Sequence, residues 1–311
     1  MRTPPLLTLL LLTTLMLTGC TASSGGPKDF TVRALPSATP PQLLVYIVEE
    51  DALVPMDIET YVAGVVAGEM PASWPMEALR AQAILARTFV LKFITEKKSR
   101  YPGADISTDI AEAQAYNATA INTRVLQAVE DTAGLILLTE DGRLPYTWFH
   151  SHSGGVTALA TEALDWQGAE PGHTRVTTGC EADDAAWSAA FTTETFLAAC
   201  RDAGYAVSGC SSVTVGETGR SGRAITLLVD STPVDAARLR ISLGSSIMRS
   251  TLLTELALSA EEGVIRMAGR GYGHGVGMSQ WGAKALAEKG WSAGEIILHY
   301  YTGAALAQAW Q

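Results

Sequence analysis

Apolar residues run almost unbroken from Leu6 to Leu17 behind the single basic residue Arg2. That block is short for a bilayer span and right for a signal-peptide core. Thr21 to Gln42 is rich in Ser, Thr, Gly and Pro with no apolar period, and reads as a flexible tether. Patterned sequence begins near Leu43. Leu43 to Val48 alternates as a strand, and Asp57 stands before Ile58, Tyr61, Val62, Val65 and Val66, an apolar stripe at helical spacing. This helix runs into Gly68-Glu69-Met70-Pro71. Pro71 and Pro75 break it, and the spacing of Leu79, Ala83, Ala86 and Val90 predicts a longer helix from about Met76 to Lys98. Glu69 thus falls at a helix-to-helix corner, where two rigid elements would hold a carboxylate.

Downstream the pattern is mixed. A helix is expected around Asn122 to Ala133, then strand-like runs Leu135 to Thr139 and Tyr146 to His150, followed by the polar turn Ser151-His152-Ser153-Gly154-Gly155. Glu194 to Ala203 reads as a helix, and Ser212 to Val215, Ala224 to Val229 and Val264 to Met267 as strands. There is neither an internal repeat nor a βα alternation, so the expected class is α+β, one continuous mixed domain over 43–311.

Composition narrows the setting. An apolar fraction of 47% supplies a core, and a formal net charge of -10 argues against a nucleic-acid partner, which would need a basic footprint. Leu17-Thr18-Gly19-Cys20 resembles the bacterial lipobox. Residues 1–19 are then a removable signal peptide and 20–42 an acylated Cys20 with its linker, giving an exported protein held to the membrane by lipid. Cys180, Cys200 and Cys210 remain, and in an oxidising compartment two of them could pair in any of three ways. The short loop after the helix at Ala198 makes Cys200 with Cys210 the expected pair. Their spacing fits no zinc ribbon.

The chemistry-bearing segments are few. Gly269 to Ala283 carries glycine at every second position over its first half, which allows close backbone approach and joint presentation of intervening side chains such as His274. It lacks the Gly-x-Gly-x-x-Gly spacing and the βαβ setting of a nucleotide cradle. His150 and His152, two apart on a strand, would share a face compatible with a metal, but no third ligand has a telling spacing. Ser151 and Ser153 lack the strand, Gly-x-Ser-x-Gly, helix setting of a hydrolase nucleophile. Arg80 and Arg87, seven residues apart, share one face of a locally basic helix near Glu69.

Three separated blocks resemble the signatures of the SpoIID/LytB family. The first is Met56 to Pro71, ending Gly68-Glu69-Met70-Pro71 and continuing through Glu77-Ala78-Leu79-Arg80-Ala81-Gln82-Ala83 to Ala86-Arg87-Thr88-Phe89. The second is Phe149-His150-Ser151-His152-Ser153-Gly154-Gly155-Val156-Thr157. The third is the glycine loop with Met278-Ser279-Gln280-Trp281-Gly282-Ala283 and the tail Ile296 to Thr302. The resemblance implies a SpoIID-type domain that cleaves peptide-stripped peptidoglycan glycan strands as a lytic transglycosylase, leaving 1,6-anhydro-N-acetylmuramic acid ends. Glu69 would be the acid/base, and Arg80, Gln82, Arg87, His150, Ser151, Ser153, His274 and Gln280 are assigned to substrate binding. Some members bind zinc in the segment matching Ala104 to Tyr116, but Ser107, Glu112 and Ala113 stand at the ligand positions, so neither metal nor other cofactor is expected. The LytB branch implies an alternative: a non-catalytic glycan binder that stimulates a cell-wall amidase.

Overall fold

The computed structural model describes residues 39–310. The expected signal peptide, Cys20 and most of the tether lie outside the described residues. Strands β1 (Gln42–Ile47) and β2 (Ala52–Asp57) form an antiparallel hairpin that feeds helix α1 (Ile58–Glu69). Asp57 caps α1, its Oδ1 accepting from the Thr60 amide at 2.9 Å, as its place before the apolar stripe implies. The helix stops at Met70, whose extended backbone (φ -133°, ψ 141°) is what a residue preceding proline favours. Helix α2 (Met76–Glu96) follows Pro75, and β3 (Ile106–Ser107) returns to pair in parallel with β1. Helix α3 (Thr123–Glu130) and strands β4 (Leu135–Thr139) and β5 (Phe149–His150) complete the first half.

The next stretch builds a separate apolar cluster. After the single-turn helix α4 (Ala160–Ala163) come β6 (Trp187–Thr192), α5 (Thr193–Asp202), β7 (Val213–Val215), β8 (Thr226–Val229), β9 (Thr232–Asp235), α6 (Ala236–Ser242), β10 (Leu253–Ser259) and β11 (Val264–Gly269). Two three-stranded antiparallel sheets, ordered β10-β11-β6 and β7-β8-β9, enclose Phe196, Leu227, Leu239 and Ile265. The chain then returns to the first core. Strand β12 (Met278–Ser279) pairs in parallel with β5, helices α7 (Gln280–Glu288) and α8 (Ala293–Tyr300) pack there, and β13 (Ala304–Gln308) closes antiparallel on β4. The architecture is α+β, and both ends of the described chain build one core around α2.

Two expectations need correcting. The strand-like run from Tyr146 shortens to Phe149–His150; Tyr146 and Trp148 instead stack ring on ring at 4.8 Å. Cys200 and Cys210 are free thiols rather than a bridge. Cys200 is enclosed in the second core, and burial with the nearby Cys210 pushes its thiol up to about 11; the Cys210 sulfur donates to the Ser212 carbonyl.

Candidate active site around Glu69

Glu69, the last residue of α1, is clamped from two distant parts of the chain. Its Oε1 accepts from the Ala115 amide at 2.8 Å, and its Oε2 accepts from the Gln280 side-chain amide at 3.2 Å. The Ala115 segment comes this close because residue 68 is glycine: a Cβ there would sit 2.8 Å from the Ala115 carbonyl group. Burial raises the Glu69 pKa above the usual carboxylate range and outweighs both hydrogen bonds, which favour the charged form. No second carboxyl and no cation contributes to the shift. Beside the clamp, Trp74 from the Pro71 to Pro75 corner meets Trp281 edge to face at 5.0 Å, leaving Trp281 44% exposed.

Gln280 is itself rigidly placed. Ser279 caps α7, its hydroxyl accepting from Gly282 N, while the same hydroxyl donates to Glu181 Oε1 at 2.5 Å. Glu181, with its side chain 1% exposed, also accepts from the Ser153 amide at 2.7 Å. The Ser151 carbonyl accepts from the Trp281 amide at 3.0 Å, so the turn after β5 holds both Gln280 and Trp281 in place. His152 closes this frame: its Nδ1 accepts from Gly154 N, and its Nε2 lies 3.1 Å from Asp183. The glycine loop earns its composition here. Gly277 takes φ 72°, and a Cβ would stand 1.9 Å from the Trp148 carbonyl oxygen.

The other expected substrate residues divide. Gln280 touches Glu69, and Ser151 acts through its backbone. Ser153 is fully buried, its hydroxyl accepting from Gly155 N, and belongs to the frame. His150 is buried with Nδ1 donating to the Val276 carbonyl at 3.1 Å; its ring lies 5.6 Å from that of His274. The imidazoles of His150 and His152 are engaged with different partners and do not converge as the strand spacing suggested. Gln82 is enclosed on α2, and its amide meets no partner among the described residues. Arg80 is held by Glu77 and Asp131. Arg87 requires correction: it is fully buried, grips Glu59 through Nε and Nη2, and donates to the Leu135 carbonyl, leaving nothing for a ligand.

Sequence reasoning missed Glu181, one of three acids in a polar turn with Asp183 and Asp184, because its burial is created by residues far along the chain. It also passed over Trp281, although the residue was visible inside a quoted block.

The model of the SpoIID family, described as stage II sporulation protein, matches residues 48–138, the region of α1, the corner and the Ala115 segment. Over 289 residues the chain is 30% identical to stage II sporulation protein D of Bacillus subtilis (strain 168), covering 88% of this chain and 80% of that protein. The chain belongs to the SpoIID family. A comparable SpoIID relative from Bacillus amyloliquefaciens is 31% identical over 287 residues. The amidase enhancer of Bacillus subtilis (strain 168) is 28% identical over 294 residues, which span 40% of the enhancer.

Proposed function

We propose that this SpoIID family member is a lytic transglycosylase acting on peptide-stripped peptidoglycan strands, with Glu69 as the single acid/base. The observation that carries the reading is one carboxyl, its pKa raised by burial and its two oxygens fixed by Ala115 and Gln280, beside an exposed tryptophan. Protonated Glu69 gives its proton to the glycosidic oxygen leaving C1 of N-acetylmuramic acid. As a carboxylate it then takes the proton of the same sugar's 6-hydroxyl while O6 bonds to C1, closing the 1,6-anhydro ring. The nucleophile is part of the substrate, so no second carboxyl is needed to activate water, unlike paired-carboxylate glycosidases. Because the first step needs the protonated form, activity should fall as pH rises through the raised Glu69 pKa. Incubation with peptide-free strands and analysis for anhydro ends tests the reading; their absence under all conditions sinks it.

Trp281 is read as the platform on which a sugar ring stacks. Trp281→Ala should weaken strand binding by about tenfold with the fold intact, a reasonable size for losing one aromatic contact. An unchanged KM would remove Trp281 from the site.

The similarity to the amidase enhancer favours a second reading, a glycan-binding regulator of a cell-wall amidase. Unmodified protein that yields no anhydro ends yet accelerates an amidase would establish it instead. In either case residues 43–311 are proposed to work as one unit, tethered by 20–42 to an acylated Cys20 on the outer side of the membrane. Cys20→Ser should then move the protein from the membrane to the soluble fraction, and unchanged fractionation would reject the anchor.

A further inference from the structure

A cavity of mixed lining, away from the Glu69 clamp, is bounded on one side by the same glycine loop. It has a volume of about 540 Å³ and is bounded by His274 from the loop, Arg240 and Ser242 from α6, Leu164 after α4, and Asp202 at the end of α5. That is within the size range of small-ligand sites and large enough for a sugar unit. Arg240 is 8% exposed, and its recorded partners are backbone oxygens: Nε donates to the Arg249 carbonyl at 3.0 Å and Nη2 to the Ser245 carbonyl at 3.3 Å. Among the described residues no carboxylate comes within ion-pairing distance of it, although the whole chain is acidic. Buried charges are ordinarily paired, so a guanidinium that faces a cavity and is held by backbone oxygens alone has room for an anion, the carboxylates of Asp165 and Asp202 in the lining being out of its ion-pairing reach.

The surroundings reinforce that sign. Arg223, also fully buried, donates to the carbonyls of Val156 and Ser153 and sits against Gly275, one residue from His274. Burial, then Arg240 and Arg223, drive the His274 pKa down to about 3, so the imidazole stays neutral and the guanidiniums carry the positive charge. The rim differs from the floor. Arg238 is already paired with Asp165 at 2.8 Å, and Asp202 is exposed. Acidic rim groups would repel a polyanion but can accept hydrogen bonds from sugar hydroxyls. A cation at the floor with acceptors at the mouth suits a neutral, hydroxylated body bearing one carboxylate.

We propose that the cavity between Arg240 and His274 is a binding site for a sugar carboxylate, the lactyl group of an N-acetylmuramic acid unit carrying no peptide. The assignment rests on the glycan-strand reading above, and it adds a reason for preferring peptide-free strands: attaching a stem peptide turns the carboxylate into an amide and removes the charge Arg240 would meet. His274 is connected to the Glu69 clamp through His150, which pairs in register with Ser279, the residue before Gln280.

The test uses the full-length protein in detergent, with N-acetylglucosaminyl-N-acetylmuramic acid, its lactyl methyl ester and a free stem tetrapeptide as probes, and binding followed by calorimetry or NMR. The acid should bind at least about tenfold more tightly than the ester, the difference expected of a charge-assisted hydrogen bond. Arg240→Gln should abolish that preference. Because Arg240 also ties down two carbonyls, Ala237→Trp, which fills the cavity from α6 while leaving the Arg240 guanidinium and its two carbonyl bonds in the chain, provides a second variant and should weaken binding of the acid to the level of the ester. Equal binding of acid and ester, preference for the tetrapeptide, or an unchanged preference in both variants would overturn the site. Cleavage of strands with no acid preference would reject this site and leave the transglycosylase standing. Acid-selective binding without anhydro ends from any strand would do the reverse.

Discussion

Glu69→Gln is expected to abolish anhydro-ended products while leaving a protein at least as stable as wild type at neutral pH. Glutamine can still accept from the Ala115 amide, and Gln280 can rotate its own amide to complement it, so the clamp survives. What is lost is the transferable proton. General acid/base groups contribute about a hundredfold to ten-thousandfold, and the rate should drop by that much. The stability half follows from the direction of the pKa shift. Burial holds the folded-state pKa of Glu69 above its unfolded value, so between those two values the folded protein binds more protons than the unfolded chain. Stability from this group is full below the unfolded pKa and declines as pH rises through the folded one. Glutamine does not ionise and escapes that loss. Thermal melts across pH, read together with product analysis, check both halves; full activity in the variant would remove Glu69 from the mechanism.

Arg87→Met should destabilise the fold by about 3–5 kcal/mol, the usual consequence of removing one partner from a buried ion pair. Glu59 would be left with its side chain 17% exposed and its cation gone, although it would still accept from Gly134 N and the Trp310 indole, both at 3.0 Å. A companion Glu59→Gln change in the Arg87→Met background should restore part of the loss, because it removes the unpaired charge and keeps an acceptor for Gly134 N and the Trp310 indole. Denaturant titrations decide it. A single variant with wild-type stability but impaired glycan binding would return Arg87 to the substrate site.

The α1, corner and α2 unit was legible in the sequence because every local signal agreed: the Asp57 cap, the helical apolar spacing, and Pro71 and Pro75 at the break. Strand β2 was not, since Pro55 argues against a strand and is tolerated only because β2 lies at a sheet edge. Strand β10 was hidden by an irregularity between Leu253 and Glu255 that breaks its two-residue period. Arg87 was misassigned despite an available signal. It falls four residues after Ala83 and three before Val90, on the very face predicted to be apolar, so its register pointed inward. In the site, Glu69 and Gln280 could be named from their motifs, but that one would hold the other could not. Nor could the role of Glu181, because a buried carboxylate is made by its neighbours in space, and Ser153 and Ser279 are far from it along the chain.

The clamp on Glu69 has a consequence for biosynthesis. The carboxylate is made early and its partner Gln280 comes 211 residues later, on a helix that packs only after the second apolar cluster has been threaded between them. A ribosome works from the amino end, so a nascent chain carries the acid, with only the Ala115 amide to orient it, long before Gln280 is made. The complete clamp therefore arrives late, with the last helices, and a chain interrupted before residue 280 is left with a glutamate held at one oxygen only.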